Sequence, residues 1–124
     1  MHGILTTGAP RLDLPLAALP APATLTLTIA AIDNPGGQGF SLAASVVWSS
    51  PAAGATAIEE PIGSVAPYPA SNPGSFVLGV PEAARKALSR GDGTLALRLA
   101  LQPIAADRPL AEPLRVTLGD PIWR

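Results

Sequence analysis

The chain has 124 residues, of which 48% are hydrophobic and 14% are charged. This composition excludes a charged, disordered chain, and the length suits a single folded domain, which we expect to span residues 1–124. Eight basic and nine acidic residues give a net charge of -1. Without a basic excess the chain is a poor partner for nucleic acid.

Cysteine is absent and His2 is the only histidine, which excludes disulfides and Cys-rich or multi-His metal sites within one chain. No apolar run reaches the roughly 20 residues of a membrane span, so we expect no membrane partner. The first residues also lack the basic and apolar regions of a signal peptide. We therefore expect a cytoplasmic chain, or one exported together with a partner.

The first twenty residues contain little periodic pattern. We expect residues 1–20 to be extended or to form an edge segment of a sheet. A short strand around residues 11–16 fits this position, because Pro15 and Pro20 cannot donate a backbone hydrogen bond and so favour an edge.

The clearest strand comes next, at residues 24–30, where threonine alternates with apolar side chains. Since successive strand residues point to opposite faces, this alternation predicts one buried and one polar face. A turn is expected at residues 33–37, which contain proline and two glycines. A second strand, residues 40–48, follows it. We expect the two to be neighbouring antiparallel strands.

Residues 49–75 are rich in Pro, Ala, Gly and Ser and predict an irregular region with one short strand at 58–65. A strand is expected at 75–80. Pro81 then suits the first position of a short helix over about residues 81–89, with an acidic residue in its first turn and basic residues near its end.

Two more alternating segments close the chain, at residues 94–102 and 114–118. Short strands at such spacing bury their apolar faces against a second sheet. The sequence therefore predicts an all-β fold, an antiparallel two-layer sandwich or open barrel of about five to seven strands with one short helix.

No set of residues indicates a catalytic, cofactor-binding or metal site. His2 lies at a chain end, and Glu59-Glu60 is read as a charged edge or loop, because adjacent strand residues point to opposite faces. Arg90-Gly91-Asp92 is a tripeptide used in integrin recognition, but we interpret it as a turn. We expect no cofactor and no enzymatic activity. An enzyme that uses backbone amides and a few acids would need a concave site that the sequence does not indicate.

The segment Pro67-Tyr68-Pro69 is the most informative loop. Prolines on both sides restrict the backbone around the aromatic residue, which suits insertion into a partner's cavity. The alternative is that Tyr68 covers the end of the sandwich. Trp48 and Trp123 lie beside apolar strands and are expected to pack at the core or its rim.

A series of segments in the second half of the chain follows a strand, helix, strand, strand order. These segments are Gly63–Val65, Gly74–Pro81, the helix to Leu88, Gly93–Leu99, Pro103 and Leu114–Gly119. Over roughly residues 24–119 this arrangement resembles the C-terminal β domain of tyrosinases and polyphenol oxidases. The His-rich helical copper domain of that family is absent from this sequence.

The resemblance implies a non-catalytic accessory module that covers the active-site mouth of a di-copper oxidase domain, as a shielding or chaperone-like partner. Tyr68 or Phe76 would then be the side chain inserted into the partner. The alternative function is a structural or assembly subunit that forms a homo-oligomer through its sheet edges or an apolar patch.

Overall fold

The computed structural model describes residues 3–49, 58–89, 94–104 and 109–124, so the predictions for His2 and for Arg90-Gly91-Asp92 lie outside the described residues. The described residues form nine strands and one helix. In chain order these are β1 (Gly3–Thr6), β2 (Arg11–Pro15), β3 (Thr24–Asp33), β4 (Phe40–Ser49), β5 (Ile58–Val65), β6 (Gly74–Gly79), α1 (Glu82–Leu88), β7 (Thr94–Pro103), β8 (Arg115–Leu118) and β9 (Ile122–Trp123).

The strands form two antiparallel sheets. Sheet A has the order β1-β8-β3-β6, with β9 beside the first part of β3, and sheet B has the order β2-β7-β4-β5. Two facing sheets with these strand orders form a jelly roll. This fold occurs in proteins of many unrelated functions. The predicted all-β, two-layer sandwich with one short helix is confirmed. The described residues contain more strands than predicted because β1 and β9, with four and two residues, are too short to show a periodic pattern.

The expectation that the strands predicted at residues 24–30 and 40–48 are neighbours is wrong. β3 pairs with β6, β8 and β9, whereas β4 pairs with β5 and β7. The connection of residues 34–39 therefore crosses from sheet A to sheet B. Alternation identifies the buried face of a strand, but it does not identify the strand's neighbour.

The core lies between the sheets and is built from the predicted inward faces. On β3, the three apolar residues of the alternating segment are 2% exposed or less. On β4, the five alternate residues from Phe40 to Trp48 are buried, as are three leucines of β7. A bulge after Ile29 inserts one extra residue in β3, so that Ile32 still faces the core.

Helix α1 packs beside β4 and β5 and buries Ala84, Ala87 and Leu88. The carbonyl of Leu88 accepts a hydrogen bond of 2.7 Å from the amide of Leu19. The helix thus fixes the long connection between β2 and β3.

Phe40 provides a test of the core, since its side chain is fully buried at the start of β4. Phe40→Ala leaves a cavity between the sheets and is expected to lower the free energy of unfolding by about 3 to 5 kcal/mol. Urea denaturation followed by tryptophan fluorescence measures this change. Ile58→Ala, at a residue that is 43% exposed, serves as the control and should change stability by less than about 1 kcal/mol.

Candidate functional site

Four connections lie at one end of the sandwich, which we call the loop end. The registers that place them there pair Leu42 with Val65, Phe40 with Pro103, and Arg115 with both Asp33 and Thr6. The connections are residues 7–10, residues 34–39, residues 66–73, and the described residues of the β7–β8 connection, 104 and 109–114. Helix α1 lies at the opposite end.

Tyr68 projects from the loop end. Its side chain is 92% exposed, the largest value among the exposed large hydrophobic residues that the structure describes. The Tyr68–Pro69 peptide bond is cis, and the Asn72 amide donates a hydrogen bond of 2.9 Å to the Pro69 carbonyl. A ring this exposed covers little of the core. The phenol is therefore available to another molecule.

The loop that carries Tyr68 is held by Asn34, which is only 6% exposed. The Asn34 Nδ2 donates to the carbonyls of Gln38 at 2.9 Å and Ala70 at 3.2 Å, and its Oδ1 accepts from the Gln38 amide at 3.2 Å. Three hydrogen bonds from one buried amide satisfy most of its capacity and join the β3–β4 and β5–β6 connections.

The other two connections are joined in the same way. The Gln38 side chain pairs with the backbone of Ala111: its Nε2 donates to the Ala111 carbonyl, and its Oε1 accepts from the Ala111 amide at 2.9 Å. The Thr7 hydroxyl donates to Glu112 Oε1 at 2.8 Å. Side-chain hydrogen bonds therefore link all four connections of the loop end, so Tyr68 is presented on an ordered surface.

A shallow cavity of about 560 Å³ opens at the same end. It is lined by residues 36–39 together with Ile104, Pro109 and Leu110. Among the described residues, this lining includes no titratable or nucleophilic side chain, so these residues supply no group for acid-base or covalent catalysis. Ile104 is 62% exposed beside it. The composition suits contact with another surface.

Phe76, the second predicted insertion residue, lies elsewhere. It sits in β6, directly opposite Leu27 of β3, and is partly buried against the core. The structure thus separates the two candidates, with Tyr68 at the loop end and Phe76 on an edge strand.

A charged network crosses the outer face of sheet B. Arg98 of β7 binds Asp13 of β2 through two bonds of 2.9 and 3.1 Å, and Glu59 of β5 through one of 2.9 Å. The hydrogen bond from Arg98 lowers the pKa of Asp13, and partial burial opposes this shift. The bond to Asp13 in turn raises the pKa of Arg98. These bonds connect β7 to β2 and to β5.

No group of three or more His, Cys, Asp or Glu side chains among the described residues could hold a metal ion. The part of the chain that the structure describes also contains no helix long and apolar enough to span a membrane.

Comparison with known proteins gives no relative. No protein-family model, curated protein or solved structure matches the chain significantly.

Sequence reasoning singled out Tyr68 but missed the residues that hold its loop. Asn34 precedes Pro35 and two glycines, and this pattern indicates only a turn. Its buried contact with Ala70 lies 36 residues away in sequence, and no local pattern indicates such a contact. Gln38 was missed for the same reason.

Asn34→Ala tests whether this amide organises the loop end. Without the Asn34 side chain, the backbone amide of Gln38 and the backbone carbonyls of Gln38 and Ala70 lose a hydrogen-bond partner. We therefore expect the free energy of unfolding to fall by about 1 to 3 kcal/mol. Urea denaturation measures the loss, and hydrogen exchange should show faster exchange of the Gln38 amide. Thr7→Ala, which removes one exposed bond, should cost less. Equal losses in both variants would contradict the central role of Asn34.

Asp13→Asn tests the charged network through its pH dependence. Because the pKa of Asp13 is lowered in the folded state, its stabilising effect is present above its ordinary pKa and disappears as pH falls through the folded value. We expect the variant to lose about 1 kcal/mol or less at pH 7, since the pair is partly exposed. Urea denaturation at several pH values should show the two stability curves converging in acid. Glu60→Gln, which removes a carboxylate from the same sheet without contacting Arg98, is the control. A constant difference at every pH would contradict the role of this ion pair.

Proposed function

We propose that this domain is a non-catalytic binding module that presents Tyr68 from its loop end to a protein partner. The observation that carries this proposal is the exposure of Tyr68, 92%, on a connection held by a buried asparagine. Exposed aromatic side chains on the surface of a monomer mark contact sites more often than exposed aliphatic ones, because tyrosine supplies both apolar area and a hydroxyl.

The loop end reduces the entropic cost of binding. Association loses affinity whenever a loop or side chain must become ordered in the complex. Here the backbone on both sides of Tyr68 is restricted by proline, and the following residues are tied to Asn34 through Ala70 and Ser71. Most of the ordering has therefore taken place before binding.

The partner that we propose is the di-copper domain of a tyrosinase-like oxidase. This choice rests on the resemblance of roughly residues 24–119 to the C-terminal β domain of that family. Tyr68 adds a chemical reason, because its side chain is a phenol and belongs to the class of compounds that such oxidases accept. A phenol held at the entrance of the copper site would block access without itself requiring catalytic residues in this chain.

The test uses two tagged baits, the wild-type chain and Tyr68→Ala, for capture from the native host followed by mass spectrometry. We expect the wild type to retain a His-rich di-copper oxidase and Tyr68→Ala to retain roughly tenfold less of it, as for a central contact residue. Ile58→Ala, a residue 43% exposed and distant from the loop end, should behave like the wild type.

The captured oxidase then provides a functional measurement. Its rate of phenol oxidation should fall as wild-type domain is added and should be unaffected by the same amounts of Tyr68→Ala. Retention of the same proteins in equal amounts by both baits would overturn the proposal. A rate of phenol oxidation that does not change when the wild-type domain is added would overturn it as well.

A further inference from the structure

The four sheet edges of the sandwich differ in how they are protected. β2 carries Pro15 and an aspartate bound to Arg98. β5 contains Pro61, two glutamates and a bulge, and β1 has only four residues. Proline, charge, bulges and short length are the devices by which proteins prevent edge-to-edge pairing. β6, with the sequence Gly-Ser-Phe-Val-Leu-Gly, has none of them.

The register of β6 shows which of its backbone groups are unpaired. The Val80 amide donates to the Ala23 carbonyl at 2.9 Å, and Thr24 lies opposite Gly79. In an antiparallel pair, hydrogen-bonded residues alternate with residues whose amide and carbonyl point away from the neighbour. The groups of Ser75, Val77 and Gly79 therefore point to the free edge of sheet A. The described residues supply no backbone partner for them.

From these observations we propose that β6 pairs antiparallel with β6 of a second copy of this chain, about a two-fold axis at Val77. In this register Val77 lies opposite Val77 of the second copy, and Ser75 lies opposite its Gly79. The outward amides and carbonyls of all three residues then form hydrogen bonds across the axis. One register satisfies every outward group of Ser75, Val77 and Gly79 in both strands.

The side chains also favour a second copy. On the core face, Phe76 of one copy meets Leu78 of the other, an aromatic and aliphatic pair that stabilises antiparallel strands. On the outer face, the two Val77 side chains, each 67% exposed, meet at the axis. β6 carries no charge, so self-pairing brings no like charges together. A two-fold interface of this kind closes on itself and gives a dimer.

The dimer leaves the loop end free. The β5–β6 connection precedes β6, so antiparallel pairing places the two Tyr68 loops at opposite ends of the shared sheet. Pairing of β6 is thus independent of the function proposed for Tyr68, and either can fail alone.

Sedimentation velocity of the purified chain at about 1 to 500 μM should show a monomer–dimer equilibrium. Val77→Lys places two lysines opposite each other and should raise the dimer dissociation constant roughly tenfold or more. Ile122→Lys is the matched control: Ile122 is 42% exposed on the same face but pairs with Thr26 on the other side of β3. It should leave the edge-paired dimer intact.

The absence of cysteine allows a direct test of the register. Val77→Cys puts two thiols opposite each other, about 5.5 Å apart between Cα atoms, which suits a disulfide. Ser75→Cys puts them four residues out of register, roughly 13 Å apart. After oxidation, only Val77→Cys should form a covalent dimer on a non-reducing gel. A chain that is monomeric throughout, a dimer unaffected by Val77→Lys, or equal cross-linking of both cysteine variants would overturn the proposal.

Discussion

The burial of one face of each long strand is the constraint on which the rest of this structure depends. β3, β4 and β7 each present a row of apolar side chains to one side, and a single sheet could not remove all three rows from water. Two facing sheets do so, with the core between them. With 14% charged residues the chain has few groups that oppose this collapse, so strand alternation determines the architecture.

The outer face of sheet B and the loop end are each held together by a few side chains, but by different kinds of bond. On sheet B, Arg98 reaches carboxylates on β2 and β5, so one guanidinium connects the two edge strands of that sheet. At the loop end, uncharged amides replace ion pairs, and Asn34 and Gln38 bind backbone groups of distant connections. Side-chain amides suit this position because they both accept from backbone N–H groups and donate to backbone carbonyls. Irregular connections leave such backbone groups unpaired.

Much of the fold could be predicted from the sequence, because the signals were local. The faces of β3 and β4 follow from period-two alternation, and the helix follows from Pro81 and the charges after it. The pairing of β3 with β6 and β8 could not be predicted, since strand neighbours depend on the path of the chain between sheets. The candidate site divides in the same way: Tyr68 has a local signal in its flanking prolines, whereas Asn34 acts through a contact 36 residues away.

The positions of Tyr68 and β6 have a consequence for affinity. A monomer offers one tyrosine loop, whereas an edge-paired dimer offers two at opposite ends of a continuous sheet, held by a rigid connection. Rigid bivalent presentation strengthens binding only when two partner sites match the spacing, and it gives no gain when they do not. A partner with a single entrance would bind each loop separately. A partner that is itself two-fold symmetric would select the dimer, because binding and β6 pairing would then stabilise each other through linked equilibria.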